Sequence, residues 1–486
     1  MQLFEIAFTL VTIFMLVLGS FFGQSRKLLR SLFFTGLGLL VLHMTIEIIR
    51  WQLIFIYLIF IILALLLLKK SIAHLVFRWV GFIIALLFLF TSVLYAIGMP
   101  VLKLPEPSGK FDVGTTSVSL MDVNREEIHT EDPFDKRELF LEVWYPGKLN
   151  EPVKPKSLWS ELYSGQRDFV SFFLNYLQNV NTHSFPDIPP SKEEVQFPLV
   201  LFNHGLQMFT SQNTLLMEHL ASNGYIVVSI AHPYESLRVN LAHKGTVIPE
   251  FITSFEKFKE SMEWIKKSSS PVRAATDSIQ TVESPEERSE IMLRAIRNSE
   301  LNALVEEWTM DNQYVLDRIL AKGKNPLGIH HLIDTARIGI MGMSIGGATA
   351  GEFCNVDHRV KAGINMDGLQ YGKTHTDSLN VPFMMLYSED GLRLNDFMRL
   401  RSKQDYHEYH FRGARHSDFT DLTLVWPVLK VYGQLGEIPG KRVIDLTNKV
   451  ILNFWDHYLK QKPFYNYPEA DYPELDVLAK YANGTP

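Results

Sequence analysis

Residues 337–354 read Arg-Ile-Gly-Ile-Met-Gly-Met-Ser-Ile-Gly-Gly-Ala-Thr-Ala-Gly-Glu-Phe-Cys, an apolar run that ends in Gly342-Met343-Ser344-Ile345-Gly346 and passes straight into small residues. The pattern predicts a strand over 337–343 and a helix over 346–354, with the chain reversing sharply at Ser344. Glycines flank that turn because only they let the strand, the turn and the helix come so close together. A Gly-x-Ser-x-Gly match alone is weak in a chain of 486 residues. The strand before it and the helix after it give it meaning, since that context presents a serine hydroxyl at the end of a sheet.

Working outward, short apolar runs at 197–203, 225–231, 362–366, 382–387 and 406–411 read as further strands, with a helix at 213–223 and two more strands at 113–121 and 138–145. Apolar strands alternating with helices make a mostly parallel sheet covered on both faces. The predicted fold is an α/β-hydrolase domain over 105–486. Residues 243–332 break the alternation with charged amphipathic helices at 251–267, 285–298 and 300–321. This is a helical insertion outside the sheet; a lid over a pocket and a solvated surface excursion both fit it. Pro-rich 185–190 reads as a surface loop.

Serine is a weak nucleophile without a histidine to take its proton and a carboxylate to orient that histidine. In this fold both follow the serine in the chain. His416 is the best base, because it lies in the loop 413–418 just after a strand. His407 and His410, within that strand, read as cross-strand packing, and His457 as a structural residue of the terminal helix. For the acid, Asp367 follows the strand ending at Met366, and Glu389 and Asp390 follow the strand ending at Tyr387; position alone leaves them level. Backbone N–H groups of Leu206 and Ile345 are the expected oxyanion donors, together worth several kcal/mol, roughly a few for each donor. His204 is read as a brace for the Leu206 loop, and His232 as lining or structural.

The first hundred residues differ in kind. Apolar runs at 3–22, 31–49, 52–68 and 75–97 each approach the length that spans a bilayer, giving a 1–100 anchor with about four transmembrane helices. Three spans result if the second and third, separated only by Arg50 and Trp51, form a re-entrant pair. The first run lacks a positive leader and is followed by more apolar segments, so it is an anchor and not a cleaved signal. Arg26, Lys27 and Arg30, with Lys69, Lys70 and Arg78, mark the cytoplasmic loops, which puts the catalytic domain outside; Arg50 opposes this mildly. Glu47 is expected to reach the interface or pair with Arg50, and His43 lies in the same run. A net charge of −6 and a pI near 6.3 leave no basic excess for nucleic acid. The single cysteine, Cys354, excludes an intrachain disulfide and a cysteine-based zinc site.

These motifs together resemble the platelet-activating-factor acetylhydrolases of the plasma type and their bacterial lipase-like relatives. The likeness covers much of the soluble domain: Val143-Trp144-Tyr145-Pro146, the segment 198–206 ending in His-Gly-Leu, the elbow with Gly346-Gly347-Ala348-Thr349, Gly363-Ile364-Asn365-Met366-Asp367-Gly368, and His416-Ser417-Asp418-Phe419. The resemblance implies Asp367 as the acid, with Asp390 the alternative, supports Leu206 and Ile345 as oxyanion donors, and implies a calcium-independent chemistry without metal or cofactor. It implies carboxylic esters as substrates, short or truncated acyl chains of phospholipids among them; the membrane as partner follows from the apolar anchor. The plasma members lack the multi-span anchor and carry histidine where this chain has Met343. Two rivals stay open: an acyltransferase using the same acyl-enzyme, and a non-catalytic hydrolase-fold binding domain.

Overall fold

The computed structural model describes residues 1–21, 26–47, 49–68, 75–165, 168–321, 327–373 and 377–481. Lys69 and Lys70, which enter the orientation argument, lie outside them. The chain forms two compact units: residues 1–103 with 163–180 and 425–432, and residues 104–162 with 181–424 and 433–486.

The first unit contains α1 (Leu3–Phe21), α2 (Arg26–Ile46), α3 (Ile54–Leu68) and α4 (Leu75–Gly98). Among the described residues, α1, α2 and residues 79–98 of α4 are long and apolar enough to cross a membrane, whereas the apolar stretch 51–67 is shorter. Large side chains such as Phe34, Leu87 and Phe90 face outward, as on helices whose surroundings are themselves apolar. Charges gather where α1 begins and α4 ends. Glu47 does not pair with Arg50: its carboxylate accepts from the backbone N–H groups of Phe4 (2.7 Å) and Glu5 (3.0 Å) and holds His43 Nδ1 at 3.0 Å. The first turn of a helix has N–H groups with no intrahelical acceptor, and a carboxylate there answers both the donors and the helix dipole. Arg50 instead clamps Glu5, with both side chains fully buried.

The second unit is built on a ten-stranded sheet. Its elements begin with β1 (Asp112–Glu126) and β2 (Lys136–Gly147). After α5 (Phe169–Leu174), which belongs to the first unit, come β3 (Ser184–Pro186), β4 (Phe197–Asn203), α6 (Thr214–Ser222) and β5 (Ile226–Ala231). A two-stranded ribbon, β6 (Val239–Leu241) and β7 (Gly245–Val247), leads to α7 (Glu250–Thr253), α8 (Phe255–Ile279), α9 (Pro285–Ile296) and α10 (Leu301–Leu320). The remainder is β8 (Ile333–Met343), α11 (Ile345–Val356), β9 (Val360–Met366), β10 (Phe383–Tyr387), α12 (Asp396–Arg401), β11 (Tyr406–Phe411), α13 (Leu422–Val425), α14 (Gly440–Lys460) and β12 (Leu475–Tyr481).

The strand order is β12-β11-β10-β9-β8-β4-β5-β2-β1-β3. Strands β5, β4, β8, β9, β10 and β11 run parallel; β12 pairs antiparallel with β11 on one flank, and on the other β2 runs antiparallel to β5 and β1 to β2, with β3 parallel to β1 at the margin. The fold is that of an α/β-hydrolase. The chain leaves β4 for β5 on one side and returns to β8 on the other, so β4 is the switch point, and sites in such sheets form beyond its carboxyl end. Asn203 pairs with Gly342 there, which brings the loops carrying Leu206 and Ser344 to the same end of the sheet. Helices α6 and α14 cover one face and α8 to α11 the other.

Two readings change. The 185–190 segment is not wholly a loop, since Phe185 and Pro186 lie in β3, paired with β1 at the sheet margin. Proline lacks a ladder donor, so an edge is the place a strand can carry it. Within 243–332, α10 is part of the cover of the sheet: Leu304, Val305, Trp308, Val315, Leu316 and Ile319 are buried in its core. Its charges misled because several of them are inward-facing and paired, as Asp311 is with Arg137 at 2.8 Å.

Candidate active site

Ser344 joins β8 to α11 with φ 57° and ψ −122°, a region that side-chain-bearing residues rarely occupy. The turn is tight enough to exclude side chains on both flanks. A Cβ on Gly342 would lie 2.2 Å from the Gly346 carbonyl carbon, and one on Gly346 would lie 2.2 Å from the Asn203 carbonyl oxygen. The second clash shows that the start of α11 rests against the end of β4. The Ser344 N–H donates to Met366 O at 2.9 Å, so the elbow sits beside the residue that precedes Asp367.

Asp367 leaves β9 with φ 56°, a conformation aspartate tolerates better than most residues. Its buried carboxylate accepts from His416 Nδ1 at 2.7 Å, from the Ser388 N–H at 2.7 Å and from Ser388 Oγ at 2.7 Å. Burial disfavours the charged imidazole of His416, but the Asp367 hydrogen bond and charge, joined by the charge of Asp390, outweigh it and raise its pKa above the ordinary 6.5. Asp390 takes a different part: its carboxylate accepts from the His416 backbone N–H at 3.2 Å. Glu389 accepts from the Gly413 N–H at 2.8 Å, at the start of the same loop. The end of β10, where an acid was one option, therefore supplies a donor to Asp367 and braces for the histidine loop. Ser388 was missed; its one signal was its place immediately after a strand end.

Ile345 opens α11, where backbone N–H groups have no intrahelical acceptor. On either side of Leu206 the chain is tied down, by Gly205 N–H to Gln212 Oε1 and by Gln207 N–H to Glu235 O, each at 2.9 Å. His204 is buried beneath, with Nδ1 2.7 Å from Gly205 O and Nε2 2.7 Å from Ser236 Oγ. Burial, with a smaller effect from His232, pushes its pKa down to about 3, so it stays neutral and braces the loop. His232 lies flat on Trp308, ring centroids 3.9 Å apart, and bonds Asp311 at 2.7 Å and Asn203 at 3.0 Å. His407 meets Tyr458 OH at 2.7 Å, His410 meets its cross-strand partner Asp476 at 3.1 Å, and His457 meets Lys462 O at 2.8 Å.

Glu127, His129 and Glu307 converge closely enough to suggest a metal. The Arg137 guanidinium, however, lies 3.2 Å from Glu127 and 3.1 Å from Glu307 and already supplies the positive charge that those carboxylates require. Among the described residues this is the only such cluster.

The chain is 23% identical to the platelet-activating factor acetylhydrolase of Cavia porcellus over 376 residues, 73% of this chain and 78% of that protein. It is 24% identical to the one from Gallus gallus over 328 residues, 62% and 73% of the two chains. The solved ferulic acid esterase from Streptomyces cinnamoneus superposes with a TM-score of 0.58 at 24% identity, covering 78% of this chain and all of that one, a likeness of fold. The model of the family described as platelet-activating factor acetylhydrolase, isoform II, matches residues 96–473. With that match spanning most of its length and an elbow serine on an α/β-hydrolase sheet, this chain belongs to the platelet-activating factor acetylhydrolase, isoform II, family and is an ester hydrolase.

Proposed function

We propose that the chain is a membrane-anchored serine hydrolase that cleaves short or truncated acyl chains from phospholipids. Ser344 attacks the ester carbonyl while His416, held by Asp367, takes its proton; the N–H groups of Leu206 and Ile345 receive the oxyanion. The protonated His416 gives its proton to the leaving alcohol, and water activated by the same ring releases the acid from the acyl-enzyme. The observation that carries this reading is the 2.7 Å Asp367–His416 bond next to a serine at φ 57°. The apolar helices of the first unit support the anchor, and the basic residues Arg26, Lys27 and Arg30 support an extracytoplasmic catalytic domain.

Fluorophosphonate labelling of the detergent-solubilised protein tests the chemistry: wild type reacts, and Ser344→Ala and His416→Ala do not. Labelling that persists in Ser344→Ala overturns the assignment. Hydrolysis of phospholipid esters graded by acyl length then tests the substrate, with activity expected to fall as the chain lengthens. Adding an alcohol acceptor separates hydrolysis from acyl transfer. Because Cys354 is buried, an engineered cysteine after residue 105 reports topology cleanly. An impermeant thiol reagent should label it in intact cells.

A further inference from the structure

The loop carrying Leu206 and the loop carrying His416 come from distant parts of the chain, yet two buried side chains at the start of α6 join them. Gln212 Oε1 accepts from the Gly205 N–H at 2.9 Å, and its Nε2 donates to Asn213 Oδ1 at 2.8 Å. Asn213 Nδ2 in turn donates to Phe419 O at 2.6 Å. Asp421 repeats the connection with backbone and side chain: its N–H donates to Gln212 O at 3.1 Å, and its Oδ2 accepts from Leu215 N–H at 3.2 Å. The relay has a donor that can only donate at one end and a carbonyl that can only accept at the other. Both amides are therefore confined to one orientation, because each place needs an acceptor on one side and a donor on the other. Chains of such bonds polarise one another in a buried site, and here Gln212 is fully buried and Asn213 nearly so.

We infer that Gln212 and Asn213 are positioning residues for the proposed reaction, a relay that fixes the Leu206 oxyanion donor and the His416 base relative to each other. The inference rests on the acyl-enzyme reading above. Drawing the Gly205 N–H back to Gln212 orients the peptide that follows it, whose N–H is that of Leu206. Anchoring Phe419 O holds the turn that begins at His416. A displacement of about 1 Å at either end is enough to lower turnover on the order of a hundredfold.

The test compares wild type with Gln212→Met, which removes both bonds of that amide, and Asn213→Asp, which keeps the acceptor for Gln212 and sets a carboxylate oxygen in place of the donor to Phe419. Each enzyme is titrated with a fluorophosphonate so that rates refer to active molecules. Ester kcat and KM are measured beside the Ki of a trifluoromethyl ketone, which forms the tetrahedral oxyanion. Gln212→Met should lose about 10- to 100-fold in kcat with little change in KM, and its Ki should rise by a similar factor. Asn213→Asp should show a smaller loss in the same proportion, and it carries the test alone if Gln212→Met does not fold. An unchanged Ki and kcat per titrated site, with only the active fraction reduced, overturns the inference, because it describes a purely structural strap. Failure of the wild type to react with the fluorophosphonate overturns the acyl-enzyme reading itself.

Discussion

The two units bury charge in opposite ways. In the first, Arg50 with Glu5, and His43 with Glu47, sit where helices begin and end, and they meet orphan N–H and C=O groups: Phe4 and Glu5 N–H on one side, Ala96 O and Met99 O on the other. In the second, Asp367 and His416 are held at 2.7 Å in a site whose histidine is still partly exposed. In the proposed membrane setting no water would satisfy a frayed helix end, and charge there would serve for closure. In the hydrolase unit Asp367 holds one nitrogen of His416, and the proposed mechanism uses the other as the base.

Deleting the nucleophile should break this comparison most sharply. Ser344→Ala should lower ester turnover by about 10⁶-fold while leaving thermal unfolding close to wild type, measured by hydrolysis and by circular dichroism. A comparable fall in unfolding temperature would mean that the elbow hydroxyl holds the fold. Asp367→Asn should follow at about 10⁴-fold in kcat, because the amide can present an N–H to His416 and favour the wrong tautomer. Activity within tenfold of wild type would move the acid's role elsewhere, Asp390 being the first place to look.

Arg50→Leu should give the reverse phenotype. It strands a buried Glu5 carboxylate and should destabilise the first unit by about 3–5 kcal/mol, seen as earlier unfolding in detergent, with the hydrolysis rate of the surviving protein retained. Replacing Glu5 as well should recover much of that stability, since an apolar pair leaves no charge uncompensated. If the double variant is no better than the single, the pair's partners at Ala96 and Met99 carry the effect.

The smallest expected effect is a shift in pH dependence. His416 must be neutral to accept the serine proton, and Asp367 raises its pKa. kcat/KM should therefore rise with pH through a midpoint above 6.5, and the residual activity of Asp367→Asn should rise through a lower one. A midpoint that stays put in the variant would assign the titration to another group.

By itself the sequence determined the elbow, the mostly parallel sheet and the change from an apolar N-terminal stretch to alternating strands and helices; that residues 163–180 and 425–432 join the N-terminal unit was not legible in it. These are local matters: a strand, a glycine-flanked serine and a helix are contiguous, and hydrophobic period and length can be read along the chain. Tertiary structure decided what depends on residues far apart. Between Asp367 and Asp390 the order of residues could not choose, because both follow strands; the fold sets one carboxylate on the ring of His416 and the other on its backbone. Glu47 looked like a partner for Arg50 three residues away, but the helix ends placed Phe4 and Glu5 in its reach instead. In α10 polar residues such as Asp311 and Asn312 gave no sign that they faced inward, because their partners Arg137 and Asn203 arrive from other strands. A buried polar group is legible only with its partner, and the partner is supplied by the fold.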